Sequence, residues 1–217
     1  MNDEKAPLRF GAVILAAGGS TRFGSPKQLL LYRGEPLIKR AAIAARGAGA
    51  EEVVVVLGSD AEAVAPAVSG LAHIRTIIND RWASGLASSI AAGVTALFED
   101  ANYDAVLLTL ADQPLVDATA LMQLIDAFGN NRRIVASAYN DTIGVPALFA
   151  AEHVPALLRL TGDQGAGRWL RDNANEVTTV TMHAAAVDID SQLDAGRLTR
   201  SSPDPPVQGT SCHPAAP

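Results

Sequence analysis

The residues with the clearest chemical potential lie between Leu15 and Leu30. An apolar run over residues 12–17 reads as a buried strand. It breaks into Gly18, Gly19 and Gly24, the hydroxyls of Ser20 and Thr21, and two cations, Arg22 and Lys27. A strand that opens into a basic, glycine-rich loop is a cradle for phosphate. Glycine lets the backbone approach an anion closely and turn N–H groups toward it. A plain turn between strand and helix also uses Gly and Ser, so the two cations favour the phosphate reading. Ser25 and Pro26 separate Gly24 from Lys27, so the Walker spacing is absent. Gly18 and Gly19 are adjacent, so the dinucleotide pattern G-x-G-x-x-G is absent too.

Asp112 is the second candidate. It follows the apolar run 105–110 and precedes Gln113-Pro114. Open α/β sheets bind ligands beyond the carboxyl ends of their strands. A nucleoside triphosphate repels a second phosphate strongly unless a cation intervenes. A carboxylate at that position can hold Mg²⁺, which bridges phosphate oxygens and neutralises developing charge. An Asp before Pro also suits a turn. Asp188 and Asp190 sit two apart, on one face if the segment is a strand. Asp190 also suits the cap of a following helix. Asn79 and Ser88, near a strand end and a helix start, are candidate polar contacts to a nucleotide. Gly162, Asp163, Gly165 and Arg168 flank a helix expected to begin near Ala166, whose N–H groups could face a second phosphate. His73, His153, His183 and His213 form no close-spaced cluster, and no G-x-S-x-G elbow occurs.

Strands and helices must alternate to position these groups. Strands are expected at 12–17, 52–57, 74–79, 105–110 and 134–139, with less regular ones at 147–149 and 177–182. Helices are expected at 36–48, at 60–68, from a cap at Ser84 through Leu97, and from a cap at Asp117 to Phe128. Shorter ones follow at 155–160, 166–172 and 192–199. Valines fill residues 53–56, as in a strand covered on both faces. This order gives a single α/β domain over residues 8–200, a mostly parallel sheet with helices on both faces. The remaining residues, 201–217, hold five prolines and read as a disordered tail.

Composition narrows the partners. The chain has 217 residues, 48% of them apolar and 18% charged, with a net charge of −6. That suits a globular domain with a sizeable core. No basic run or aromatic-basic stripe points to nucleic acid. A single Cys excludes a disulfide framework, the first residues show no apolar leader, and no run is long enough to span a membrane. A cytoplasmic location is expected.

The loop resembles the signature L-A-A-G-x-S-x-R-x-G-x-x-K of the MobA-like nucleotidyltransferases. Leu15, Ala16, Ala17, Gly18, Ser20, Arg22, Gly24 and Lys27 fill every fixed position. The resemblance implies a Rossmann-like three-layer domain of the GT-A-like kind. It implies that the loop, from Leu15 through Gly19, Ser20, Arg22 and Lys27, wraps an incoming triphosphate. It implies that Asp112, in the motif D-x-P, holds Mg²⁺, with Asp190 in a D-I-D element. Arg22, Lys27 and Asp112 are then the catalytic set. Asn79 and Ser88 lie near base and ribose. Ala16-Ala17-Gly18 is similar to the loop of the cytidylyl enzymes of molybdenum cofactor maturation. The implied substrates are therefore CTP and a molybdopterin-type phosphate, with a molybdenum hydroxylase as a possible recipient. Two elements depart from the family. Gly144-Val145-Pro146 lacks a histidine, and Gly167 stands where an Arg is usual, with Arg168 one residue later. Gly144, Pro146, Gly162, Asp163, Gly165 and Arg168 are thus candidate acceptor contacts with acceptor identity open. A sugar or polyol phosphate transferase and a non-catalytic cofactor chaperone remain as alternatives.

Overall fold

Three runs of small and β-branched residues make the centre of the sheet: β1 (Phe10–Ala16), β4 (Val53–Leu57) and β6 (Ala105–Leu110). Every residue of β1 and β4 is buried, as expected when helices cover both faces of parallel strands. The computed structural model describes residues 7–19, 23–99, 101–131, 133–189 and 194. The expected tail and nearly all of the expected last helix at 192–199 lie outside these residues.

The seven-stranded sheet also contains β5 (Ile74–Ile78), β7 (Ile134–Tyr139), β8 (Thr142–Ala150) and β9 (Thr178–Thr181). Its order is β5-β4-β1-β6-β8-β7-β9. Only β8 runs against its neighbours, pairing antiparallel with β6 and β7. The expected mostly parallel α/β sheet is therefore present. A small hairpin, β2 (Leu31–Tyr32) with β3 (Glu35–Pro36), was not anticipated. Its turn places Arg33 at φ 52° and Gly34 at φ 79°, the left-handed pair that a two-residue hairpin requires.

Side chains along β1 alternate between two cores. Phe10, Ala12, Ile14 and Ala16 face α1 (Leu37–Gly47) and α4 (Ala118–Asn131), through Ile38, Ala42, Leu121 and Leu124. Val13 and Leu15 face α3 (Leu86–Glu99), with Leu157 of α5 (Val154–Leu158) and Leu170 of α6 (Ala166–Asp172) in the same layer. A short α2 (Ala61–Val64) covers the β5 side.

Two local expectations are corrected. Ser84 does not cap α3. It ends a 3-10 turn, Trp82–Ser84, and its hydroxyl donates to the Arg81 carbonyl. Strand β8 is far longer than residues 147–149, because Pro146 is accommodated in an irregularity. Ala136 opposes Ala147, but the next residue, Ser137, opposes Gly144. The Val145–Pro146 bond is cis, and Ser137 Oγ donates to the Pro146 carbonyl at 2.7 Å. The Asp117 cap is present, its Oδ1 accepting from the Ala120 N–H at 2.9 Å.

Helix α3 reaches the sheet closely because residue 93 is glycine. A Cβ there would lie 2.4 Å from Val13 Cγ1 and 2.7 Å from Val56 Cγ2, both in fully buried side chains. Gly93→Ala should gain up to about 1 kcal/mol of helix propensity and lose about 1–3 kcal/mol to overpacking. The expected result is a net loss in the midpoint of urea unfolding; a midpoint at or above wild type would contradict this packing.

Candidate active site

The register Leu15↔Leu110 between β1 and β6 brings the phosphate loop beside Asp112. The two meet in a direct ion pair, Lys27 Nζ to Asp112 Oδ2 at 2.5 Å, with both side chains 18% exposed. Lys27 opens a 3-10 turn, Lys27–Leu29. The next residue, Gln28, is buried, and its Nε2 donates to the Ala16 carbonyl at 2.8 Å and the Gly18 carbonyl at 3.0 Å. Gln28 thus fixes the carbonyl side of the loop. Sequence reasoning missed it, because its role depends on a turn that folds residue 28 back over residue 16.

Trp82 closes the loop from the other side. A Cβ on Gly19 would lie 3.3 Å from its ring, and a Cβ on Gly58 would lie 2.3 Å from the Ala17 carbonyl oxygen and 2.9 Å from Trp82 Cβ. Glycine at both positions lets the strand ends converge under the indole. Together these groups bound a cleft of about 450 Å³. Leu15, Ala16, Ala17, Gly18 and Lys27 line it together with Asp112 and Asp163. Trp82, Leu86 and Leu110 supply apolar surface for a ring.

Asp112 Oδ1 and the adjacent Gln113 Oε1 are both buried acceptors without a hydrogen-bond partner among the described residues. Buried oxygens are seldom left so. An unpartnered carboxylate oxygen at a strand's carboxyl end, on a residue that lines the cleft, fits a site that a cation completes. Asp112 is of the hard oxygen type that Mg²⁺ uses, and Mg²⁺ commonly takes one or two carboxylates and fills its shell with phosphate oxygens and water. Among the described residues no group of three His, Cys, Asp or Glu could hold a metal alone. The metal would therefore depend on the nucleotide as well.

The remaining candidates divide. Asp190, Ser20 and Arg22 lie outside the described residues. The segment before residue 190 is not a strand; it follows a 3-10 turn, His183–Ala186. Ile189, fully buried against Phe23, Tyr32 and Leu37, donates its N–H to the Asp112 carbonyl at 3.1 Å. Asn79 and Ser88 line a separate groove on α3. Asn79 Nδ2 donates to Ser88 Oγ at 2.9 Å and Ser89 Oγ at 3.0 Å, while its Oδ1 accepts from the Arg81 N–H. This network ties β5 to α3. Ser89, rather than Ser88, lines the cleft.

On the acceptor side, Asp163 reaches the cleft, while Gly162 and Gly165 pack against the start of α3. The Gly162 carbonyl accepts the Ala87 N–H, and a Cβ on Gly165 would lie 2.8 Å from Leu86 Cδ2. Arg168 points to solvent and pairs with Asp172 at 3.8 Å. Gly144 lies under the phenol of Tyr139, where a Cβ would come 2.5 Å from Oη. Tyr139 was not a sequence candidate. Burial raises its pKa, Asp188 and Asp112 raise it further, and Arg171 opposes them. The phenol therefore stays protonated at neutral pH.

A model of the MobA-like NTP transferase domain matches residues 12–178. The chain belongs to this family. It is a MobA-like nucleotidyltransferase by fold and by family. It is 35% identical over 181 residues to nicotine blue oxidoreductase of Paenarthrobacter nicotinovorans, spanning 79% of this chain and 85% of that one. The solved structure of Rv0371c from Mycobacterium tuberculosis superimposes with a TM-score of 0.76 at 29% identity, covering 90% of this chain and 100% of the other. A structure of Rv0371c in complex with manganese matches with a TM-score of 0.72 at 27% identity, over 89% and 100% of the two chains. No helix of the described residues in this MobA-like chain is long and apolar enough to cross a membrane.

Lys27→Ala should remove one charged contact of about 1.5–3 kcal/mol, roughly a 10- to 150-fold loss in nucleoside triphosphate affinity by calorimetry. Asp112→Asn should leave the fold intact and weaken Mn²⁺ uptake in the presence of a nucleoside triphosphate, read by electron paramagnetic resonance, by roughly tenfold or more. Unchanged Mn²⁺ affinity in Asp112→Asn would contradict the metal placement.

Proposed function

We propose that the protein transfers CMP from CTP to the phosphate of a molybdopterin-type acceptor, releasing pyrophosphate, in an Mg²⁺-dependent reaction. The observation that supports this most is the orphaned Asp112 Oδ1 beside the Lys27-bearing phosphate loop. Cytidine rests on the Ala16-Ala17-Gly18 loop, and the acceptor on the resemblance to the cytidylyl enzymes.

The nucleophile is a phosphate monoester, already ionised near neutral pH, so no general base is required. Its oxygen forms a bond to the α-phosphorus as the bond to the β-phosphate oxygen breaks. Pyrophosphate leaves with that electron pair. Lys27 and the backbone N–H groups around Gly18 and Gly19 hold the triphosphate. Asp112, with Asp190 as a second proposed carboxylate, would hold Mg²⁺, whose chemistry would be to neutralise charge that develops in the reaction. Arg22 is proposed to add a further cation to the same loop. Catalysis then reduces to positioning and electrostatics. Lys27 already contacts Asp112, so nucleotide entry exchanges partners instead of stripping water from two bare charges.

A second reading follows from the relative named as an oxidoreductase. The same loop could hold the pyrophosphate of a nicotinamide dinucleotide, with Trp82 and Leu86 against a ring. The two separate in one experiment. The protein is incubated with each NTP, Mg²⁺ and molybdopterin, and in parallel with NADH or NADPH and a quinonoid dye that can accept the hydride, followed by mass spectrometry of the products. The expected product is a cytosine dinucleotide, with pyrophosphate formed in equal amount and CTP preferred. Turnover of the reduced dinucleotide without any nucleotidyl product would contradict the transferase reading.

A further inference from the structure

Strand order places β1 on one side of Asp112 and β8 on the other. The β8 side carries its own connected set of groups. Gln113 Nε2 and Tyr139 Oη both donate to the Val145 carbonyl, each at 3.3 Å. Beside them, Arg171 of α6 reaches across to β8 and donates Nη1 to the Ile143 carbonyl at 3.2 Å. Gly167, one helical turn earlier on the same face, keeps this path open. A Cβ at residue 167 would lie 3.3 Å from Arg171 Nη1 and 3.8 Å from Gly144 Cα.

The two arginines of α6 behave differently. Arg168 is about two-thirds exposed and has Asp172 for a partner. Arg171 has only the neutral Ile143 carbonyl among the described residues. That bond orients the guanidinium without neutralising it, and most of its N–H groups stay available. Ile143 stands two residues before Val145, whose carbonyl Gln113 bonds, so the cation lies over the strand that neighbours Asp112. A reaction between two phosphates needs each anion held separately and in line. Lys27 and the loop serve one side of Asp112.

We propose that Arg171 serves the other side, as the cation that binds the phosphate monoester of the acceptor. This rests on the nucleotidyl-transfer reading above. The planar guanidinium suits two oxygens of one phosphate at once. Ile143 holds its bearing, and the glycine at 167 leaves room for the guanidinium. Asp112 then lies between the two phosphates.

The test uses the full chain saturated with Mg²⁺ and the α,β-methylene analogue of CTP, which fills the loop without reacting. Phenyl phosphate, a plain phosphate monoester, is titrated in by calorimetry. Arg171→Ala should weaken phenyl phosphate by roughly tenfold or more, and Arg171→Lys should recover part of the loss. Arg168→Ala should match wild type. Affinity for the CTP analogue should be the same in all four proteins, which also reports that each is folded. Unchanged phenyl phosphate affinity in Arg171→Ala, a loss that follows Arg168 instead, or no phenyl phosphate binding by wild type would each overturn the subsite alone. Wild-type protein that takes up no CTP analogue would overturn the nucleotidyl-transfer reading and the subsite with it.

Discussion

The pairing of β1 with β6 is the constraint on which the site depends. Leu15 opposes Leu110, so the glycine loop and Asp112 leave the sheet side by side. A slip of one residue would turn Leu15 and Val13 from one core to the other. A slip of two would keep the faces and move Asp112 about 6–7 Å along the strand, out of reach of Lys27. Close packing of β1 side chains into separate cores on its two faces opposes either slip. Core packing and chemistry are thus coupled through a single register.

The charge arrangement follows from that placement. The protein is acidic overall, yet it must attract an anionic nucleotide, so its cations have to be concentrated locally. Lys27 paired with Asp112 keeps both groups partly buried at the cleft. Each is then ready for a different part of the same ligand, the lysine for phosphate and the carboxylate for the metal that phosphate brings. Gln28 and Trp82 carry no charge but set the loop against which this exchange occurs. On the far side of Asp112, the Gly144–Gly167 contact lets α6 approach β8 and hold Arg171 there.

What could be read from the sequence was what lies contiguously along the chain. The loop was legible because a phosphate cradle needs glycines and cations at fixed short spacings. Asp112 was legible because it ends an apolar strand. The doubly covered valines of β4 announced a buried sheet. Gln28, Tyr139 and Arg171 were not legible, since each matters only through residues that approach it from elsewhere in the fold. Arg168 drew attention by sequence spacing, whereas Arg171 is the arginine of α6 that bonds β8. Pro146 concealed most of β8, because a proline argues against a central strand unless a bulge receives it. Asn79 and Ser88 were polar at the right strand and helix ends, yet they bond to each other and to α3.

A crystal structure of the protein with Mg²⁺ and the α,β-methylene analogue of CTP tests the central claim most directly. The account predicts a metal on Asp112, the triphosphate on the N–H groups near Gly18 and Gly19, and Lys27 turned from Asp112 to phosphate. A nucleotide bound elsewhere, with the Lys27–Asp112 pair intact and no metal on Asp112, would contradict it.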